Sequence, residues 1–191
     1  MRIMYAADFQ FDARNSFNKK ALNKAIDIMN NTDKDIILLG GDYTNWEGKV
    51  IPFFTEFQKV KKPEYGIYSV TGNHDYSNHA LVLEMIEKTG IKNLDNEKTE
   101  IEKNGQKIII AGVEDLWFGE PDAEMVLKDT DKKDFVIFLS HNPDYFEVTD
   151  TIYVPSVKGF LDNGTADDSR SLNLYVNAKS GANLSVQAVN G

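Results

Sequence analysis

Four short apolar runs, each ending at a residue that can bind a metal or move a proton, constrain this chain more than any other feature. "RIMYAA" (2–7) runs into Asp8, and "DIILLGG" (35–41) runs into Asp42. "GIYSVTG" (66–72) meets Asn73 and His74, and "DFVIFLS" (134–140) meets His141. Short apolar runs bounded by turn formers read as buried strands. In α/β sheets, ligands collect at the carboxyl ends of strands, where a rigid scaffold holds loops in convergent positions.

Helical patterns separate the strands. Leu22, Ala25, Ile26 and Met29 repeat at the spacing of one helix face, as do Val50, Phe53, Phe54, Phe57 and Val60. "HALVLEMIEKTG" (79–90) reads as a helix stopped by Gly90. "TEIEKNGQKIIIAGV" (99–113) reads as a hairpin turning at Asn104-Gly105, and "PDAEMVLK" as a short helix. This order predicts a layered α/β domain with a largely central β-sheet flanked by helices, over residues 1–149. Residues 150–191 shift to Asn, Ser, Gly, Ala and Asp, and read as a polar segment with a hairpin near Ser180-Gly181.

Composition excludes several classes. At net charge −9 a broad nucleic-acid surface is not expected, because that needs clustered Lys and Arg. With no cysteine, thiolate sites and disulfides are impossible, and a metal must be held by oxygen and imidazole. No stretch approaches the ~20 apolar residues of a membrane span, and Asp8 arrives too early for a signal-peptide core. A soluble cytoplasmic protein is the expectation.

Singly, each polar strand end has a plain reading. Asp8 caps or turns, "GGD" (40–42) is turn chemistry, "GNHD" (72–75) is a turn, and His141 before Asn-Pro caps a loop. Together, in this order, they resemble something more specific. "GGDYTN", "TGNHDY" and "LSHNPDYF", supported by "TGIKNLDNE" (89–97) and "AGVEDLW" (111–117), resemble the calcineurin-like metallophosphoesterases over roughly residues 1–149. The look is closest to a bacterial branch often tethered to a membrane by an N-terminal helix, which is not read here.

The resemblance implies a dinuclear metal site that hydrolyses a phosphomonoester or phosphodiester through a metal-activated hydroxide. Asp42 would bridge the two ions. Asp8 and Gln10 would serve the first, and Asn73 and His141 the second. Mn is the leading metal, with Fe, Zn or Mg as alternatives. His74 would protonate the leaving oxygen or stabilise the phosphoryl group, with Asp75 orienting it. His79, at a helix start, receives no role. The implied partner is a phosphorylated small molecule.

Two departures temper this. The family's usual Asp-x-His is here Asp8-Phe9-Gln10, and an amide is a poorer donor than imidazole for Zn or Fe. The family's Gly-His-x-His is absent, since the chain's three histidines are His74, His79 and His141. Three accounts stay open: a truncated or frame-altered member, a degenerate member that binds metal or phosphate as a scaffold, or replacement ligands from Asp162, Asn163, Asp167 or Asp168. "LDNGTADD" (161–168) begins like a calcium loop but lacks the EF-hand spacing. A core lacking its last strands would recruit a second copy of the chain to cover them.

Overall fold

A computed structural model describes residues 1–12, 16–45, 49–131, 134–145 and 175–176. The polar hairpin near Ser180-Gly181 and the candidate ligands Asp162, Asn163, Asp167 and Asp168 lie outside the described residues. Strands β1 (Ile3–Ala6), β2 (Ile36–Leu39), β3 (Ile67–Ser69) and β4 (Lys92–Asn93) form a parallel sheet in that order. Helices α1 (Ser16–Asn31), α2 (Val50–Phe57) and α3 (His79–Lys88) make the crossovers.

A second sheet holds β5 (Glu97–Lys103), β6 (Gln106–Gly112), β7 (Phe135–Leu139) and β8 (Tyr175–Val176). β6 and β7 are parallel, and β5 and β8 lie antiparallel on the two edges. Asn104 and Gly105 both take positive φ, 54° and 74°, as the predicted two-residue hairpin turn requires. The short helix α4 (Ala123–Leu127) packs on this sheet, with Asp122 capping it by accepting the Met125 amide.

The α/β expectation holds, but one central sheet is replaced by two facing sheets. Strand β2 explains why. All four of its side chains are fully buried, so both of its faces need apolar cover. Ile37 and Leu39 pack with Leu22, Ile26, Phe53 and Ile86 from the helices. Ile36 and Leu38 pack with Tyr68, Val70, Ile108, Ile110, Ile137 and Leu139, which joins the two sheets. The outer face of the second sheet buries Ile109, Ala111 and Phe138 against Ala123 and Val126. The result is helices, sheet, sheet and helix, in four layers.

Candidate metal centre

The loops after β1 and β2 leave the sheet side by side. The Asp8 amide donates to the Gly41 carbonyl at 3.0 Å, Gln10 to Asp42 at 2.9 Å and Phe11 to Tyr43 at 3.1 Å. The ladder thus continues beyond the strands, and it bends there. Asp8, Gln10 and Asp42 take φ of 56°, 40° and 55°, in the left-handed region. Asp tolerates that region better than Gln does. Strained backbone of this kind, costing of order 1–3 kcal/mol per residue, gathers at functional sites. Phe9 and Phe11 point the other way and pack on Phe53, with ring centroids 5.3 and 6.0 Å apart, which seats the loop on α2.

The loop after β3 comes close enough to need two glycines. A Cβ on Gly41 would stand 2.4 Å from the Gly72 amide nitrogen. A Cβ on Gly72 would stand 2.4 Å from Asp42 Oδ1 and 2.7 Å from His141 Cε1. Gly72 opens a 3₁₀ turn, Asn73–Asn78, that carries both His74 and Asp75.

The structure brings Asp8, Asp42 and His141 together: each offers a ligand atom, all within 4.8 Å of one another. Asn73 joins them, with its Oδ1 3.1 Å from His141 Nε2. His141 Nδ1 lies 2.7 Å from the Gly40 carbonyl, which can only accept, so Nδ1 carries the proton and donates. With the ring deprotonated at Nε2, that atom presents a lone pair. It faces Asn73 Oδ1 and, at 3.6 Å, Asp42 Oδ1. Acceptors converging this way need a cation or a proton between them. The oxygen and imidazole set, with its tautomer fixed from behind, fits a divalent metal.

Two residues make contacts that the sequence did not signal. Asp75 is held by backbone amides. Its fully buried carboxylate accepts the amides of Asp42 (2.8 Å), Tyr43 (3.0 Å) and Gly72 (2.9 Å), because the two loops leave those N–H groups without strand partners. Burial pushes its carboxyl up to about 7 against the pull of those amides, with the nearby Asp42 charge adding to the rise. Gln10 turns its amide nitrogen toward Asp42 Oδ2, donating at 3.4 Å.

His74 donates its backbone amide to Asp42 Oδ1 at 2.9 Å, and its ring Nε2 lies 3.9 Å from Asp42 Oδ2. His79 stays apart from the cluster. It stacks on Tyr76, with centroids 4.1 Å apart, and faces Thr71 Oγ1 at 3.4 Å and Asp95 Oδ2 at 3.9 Å.

Sequence reasoning missed the braces around the site. Asp95 accepts both the amide and the hydroxyl of Thr71, at 2.9 and 2.7 Å, and so fixes the end of β3. Asn142, beside His141, accepts the Leu116 amide at 2.7 Å. Buried Asp115 accepts the Trp117 and Phe118 amides, both at 2.9 Å. Asx residues after strands are the signal for such turns, but their partners are not readable from the chain.

Two facing sheets with an acid, amide and imidazole cluster at their strand ends define a metallophosphoesterase fold. The calcineurin-like phosphoesterase family model matches residues 1–176, and the chain belongs to that family. The match passes residue 149, where the motif resemblance stops, and takes in β8.

Among curated relatives, a metallophosphoesterase of Aquifex aeolicus is 31% identical over 118 residues, covering 57% of this chain and 43% of that protein. A Danio rerio transmembrane protein with a metallophosphoesterase domain is 26% identical over 137 residues, covering 65% and 31%. The chain spans less than half the length of the curated relatives it matches. Among solved structures, TT1561 of Thermus thermophilus is 19% identical with a TM-score of 0.43, covering 60% of this chain and 49% of that one. An archaeal phosphodiesterase is 18% identical with a TM-score of 0.37, covering 59% of each. Among the described residues no helix is long and apolar enough to cross a membrane.

Proposed function

We propose that the chain hydrolyses a phosphomonoester or phosphodiester of a small molecule at the Asp8, Asp42, Asn73 and His141 cluster. One observation carries this reading: His141 Nε2, Asn73 Oδ1 and Asp42 Oδ1 converge as acceptors, with the opposite face of the imidazole tied to the Gly40 carbonyl. When bound, a divalent cation there lowers the pKa of a water and offsets charge growing on phosphoryl oxygens.

The residues supply the rest. Asp8 and Asp42 bring the negative charge that draws the cation, and Asn73 adds an oxygen without adding charge. Gly72 keeps the approach to Asp42 and His141 clear of side-chain atoms. His74 hands a proton to the leaving oxygen, a step that imidazole suits near neutral pH. The phosphoryl group of the substrate is the part recognised, and the acidic chain reverses its local field only where the cation sits.

A second reading is a family member that keeps the fold and binds metal or phosphate without turnover. The Gln10 amide on Asp42 favours it. Purified chain loaded with Mn²⁺ and assayed on p-nitrophenyl phosphate and bis(p-nitrophenyl) phosphate separates the two. Turnover that disappears in Asp42→Ala and His74→Ala supports the enzyme. Absence of turnover on both esters by metal-loaded protein supports the binding reading.

A further inference from the structure

We infer that the described residues form a site for a single divalent cation, shared by Asp8, Asp42, Asn73 and His141, and that the Gln10 amide stands where a second ion would sit. The inference rests on the cluster being a metal site and not on turnover. The resemblance divides the ligands between two ions, with Asp8 on one and His141 on the other. In the structure Asp8 and His141 stand in one cluster with Asp42.

Their ligand atoms, with that of Asp42, fall within 4.8 Å of one another. Donors on opposite sides of one ion, with bonds of roughly 2.0–2.4 Å, stand about 4–5 Å apart, and adjacent donors about 3 Å apart. The 3.1 Å between His141 Nε2 and Asn73 Oδ1, and the 3.6 Å to Asp42 Oδ1, suit neighbouring positions on one cation.

A second ion would need the other oxygen of Asp42. That oxygen, Oδ2, faces the Gln10 Nε2 at 3.4 Å and the His74 Nε2 at 3.9 Å. An amide nitrogen carries two hydrogens and no available lone pair, so it donates to the carboxylate and does not ligate a metal. Gln10 thereby takes the electrostatic place of a cation at weaker strength. Turning the amide over would set its oxygen against the carboxylate, an arrangement favourable only with a cation between them.

Charge agrees with one ion. Asp8 and Asp42, the carboxylates grouped with His141 among the described residues, balance a single divalent cation. Asn73, Gln10 and an imidazole ligating through Nε2 add no charge. The fully buried Asp75 already gives its two oxygens to three backbone amides. Three oxygens and one imidazole favour Mn²⁺ or Mg²⁺ over softer ions.

The full chain, freed of metal and titrated with Mn²⁺, is read by calorimetry, bound-metal analysis and electron paramagnetic resonance. The expected result is one Mn²⁺ per chain with the spectrum of an isolated ion, lost in Asp8→Ala and in His141→Ala. Gln10→Glu, which keeps the shape but replaces the donor with a carboxylate, is expected to bind two ions with an exchange-coupled spectrum. Two coupled ions in the unaltered chain overturn the inference, as does Mn²⁺ affinity unchanged in Asp8→Ala. A Gln10→Glu chain that stays at one ion overturns the part assigned to Gln10. If that variant fails to fold, the stoichiometry of the unaltered chain decides. Two coupled ions with turnover leave the proposed hydrolysis standing, whereas one ion without turnover leaves the inference standing and removes the hydrolysis. No bound Mn²⁺ overturns both.

Discussion

The Asp75 carboxylate accepts the backbone amide of Asp42 at 2.8 Å, across 33 positions of sequence. Through this bond and those to Tyr43 and Gly72, one buried acid sets the mutual position of the two loops that carry Asp42 and Asn73. Asp75 acts on the site through the backbone of residues 42, 43 and 72.

Asp75→Asn leaves one side-chain oxygen for three amides and turns an NH₂ group toward at least one of them. A buried donor left unsatisfied costs about 1–3 kcal/mol. Loss of a supporting hydrogen bond of this kind costs metal affinity of the order of 10–100-fold. Urea denaturation and Mn²⁺ titration of the variant measure the two effects separately.

The pH dependence of the metal-free chain follows from the same group. With its folded pKa raised to about 7, Asp75 holds a proton in the folded state that the unfolded chain releases near pH 4. The folded state binds more protons between those values. Stability from this group is therefore full below pH 4 and declines as pH rises toward 7, at up to about 1.4 kcal/mol per pH unit. A divalent cation on Asp42 favours the Asp75 carboxylate and flattens the decline. Denaturation midpoints from pH 4.5 to 7.5, with and without Mn²⁺, give the slope, and Asp75→Asn is expected to remove it.

Gly72→Ala tests the close approach of the loops. The added methyl lands 2.4 Å from Asp42 Oδ1 and 2.7 Å from both Asp42 N and His141 Cε1. Overpacking of this kind costs roughly 1–3 kcal/mol. Because the displaced atoms belong to Asp42 and His141, two of the proposed ligands, Mn²⁺ binding should fall further than the melting temperature alone would suggest. Unaltered Mn²⁺ affinity in a folded Gly72→Ala chain contradicts the site geometry.

His74→Ala distinguishes proton transfer from binding. If His74 protonates the leaving oxygen, the rate falls about 10²–10⁴-fold for poor leaving groups and much less for p-nitrophenolate. Equal loss across a series of phenyl phosphates of graded acidity assigns His74 to holding the phosphoryl group.

Phe53→Ala probes how the first loop is seated. Phe53 is fully buried, and its ring meets those of Phe9, Phe11, Tyr43 and Phe57. Truncation costs about 3–5 kcal/mol. It also frees the segment that sets Asp8 and Gln10 in their left-handed conformations, so Mn²⁺ affinity drops along with the urea midpoint.

Much of the fold was legible because local chemistry dictated it. Asn104-Gly105 specified a hairpin, and the run from Ile36 to Leu39, apolar on both faces, specified a buried strand. The second sheet was not legible as separate, because strand runs look alike whichever sheet they join. Strand β4, at Lys92–Asn93, is too short and polar to signal itself. The convergence of Asp8, Asp42, Asn73 and His141 was legible from their places after strands. The roles of Asp75 and Gln10 were not. A sequence gives the residue type, but the amides that claim Asp75 come from residues 42, 43 and 72, and the direction of the Gln10 amide is set only in three dimensions.

The hydrogen bond from His141 to the Gly40 carbonyl spans 101 residues and joins the end of one sheet to the end of the other. Neither sheet can assemble the cluster by itself. The site is complete only when both halves are docked. Metal uptake at the proposed site would therefore be coupled to tertiary assembly: affinity for the ion would serve as a gauge of how firmly the two sheets hold together, and a substitution that loosens their shared core would register at the cluster without touching it.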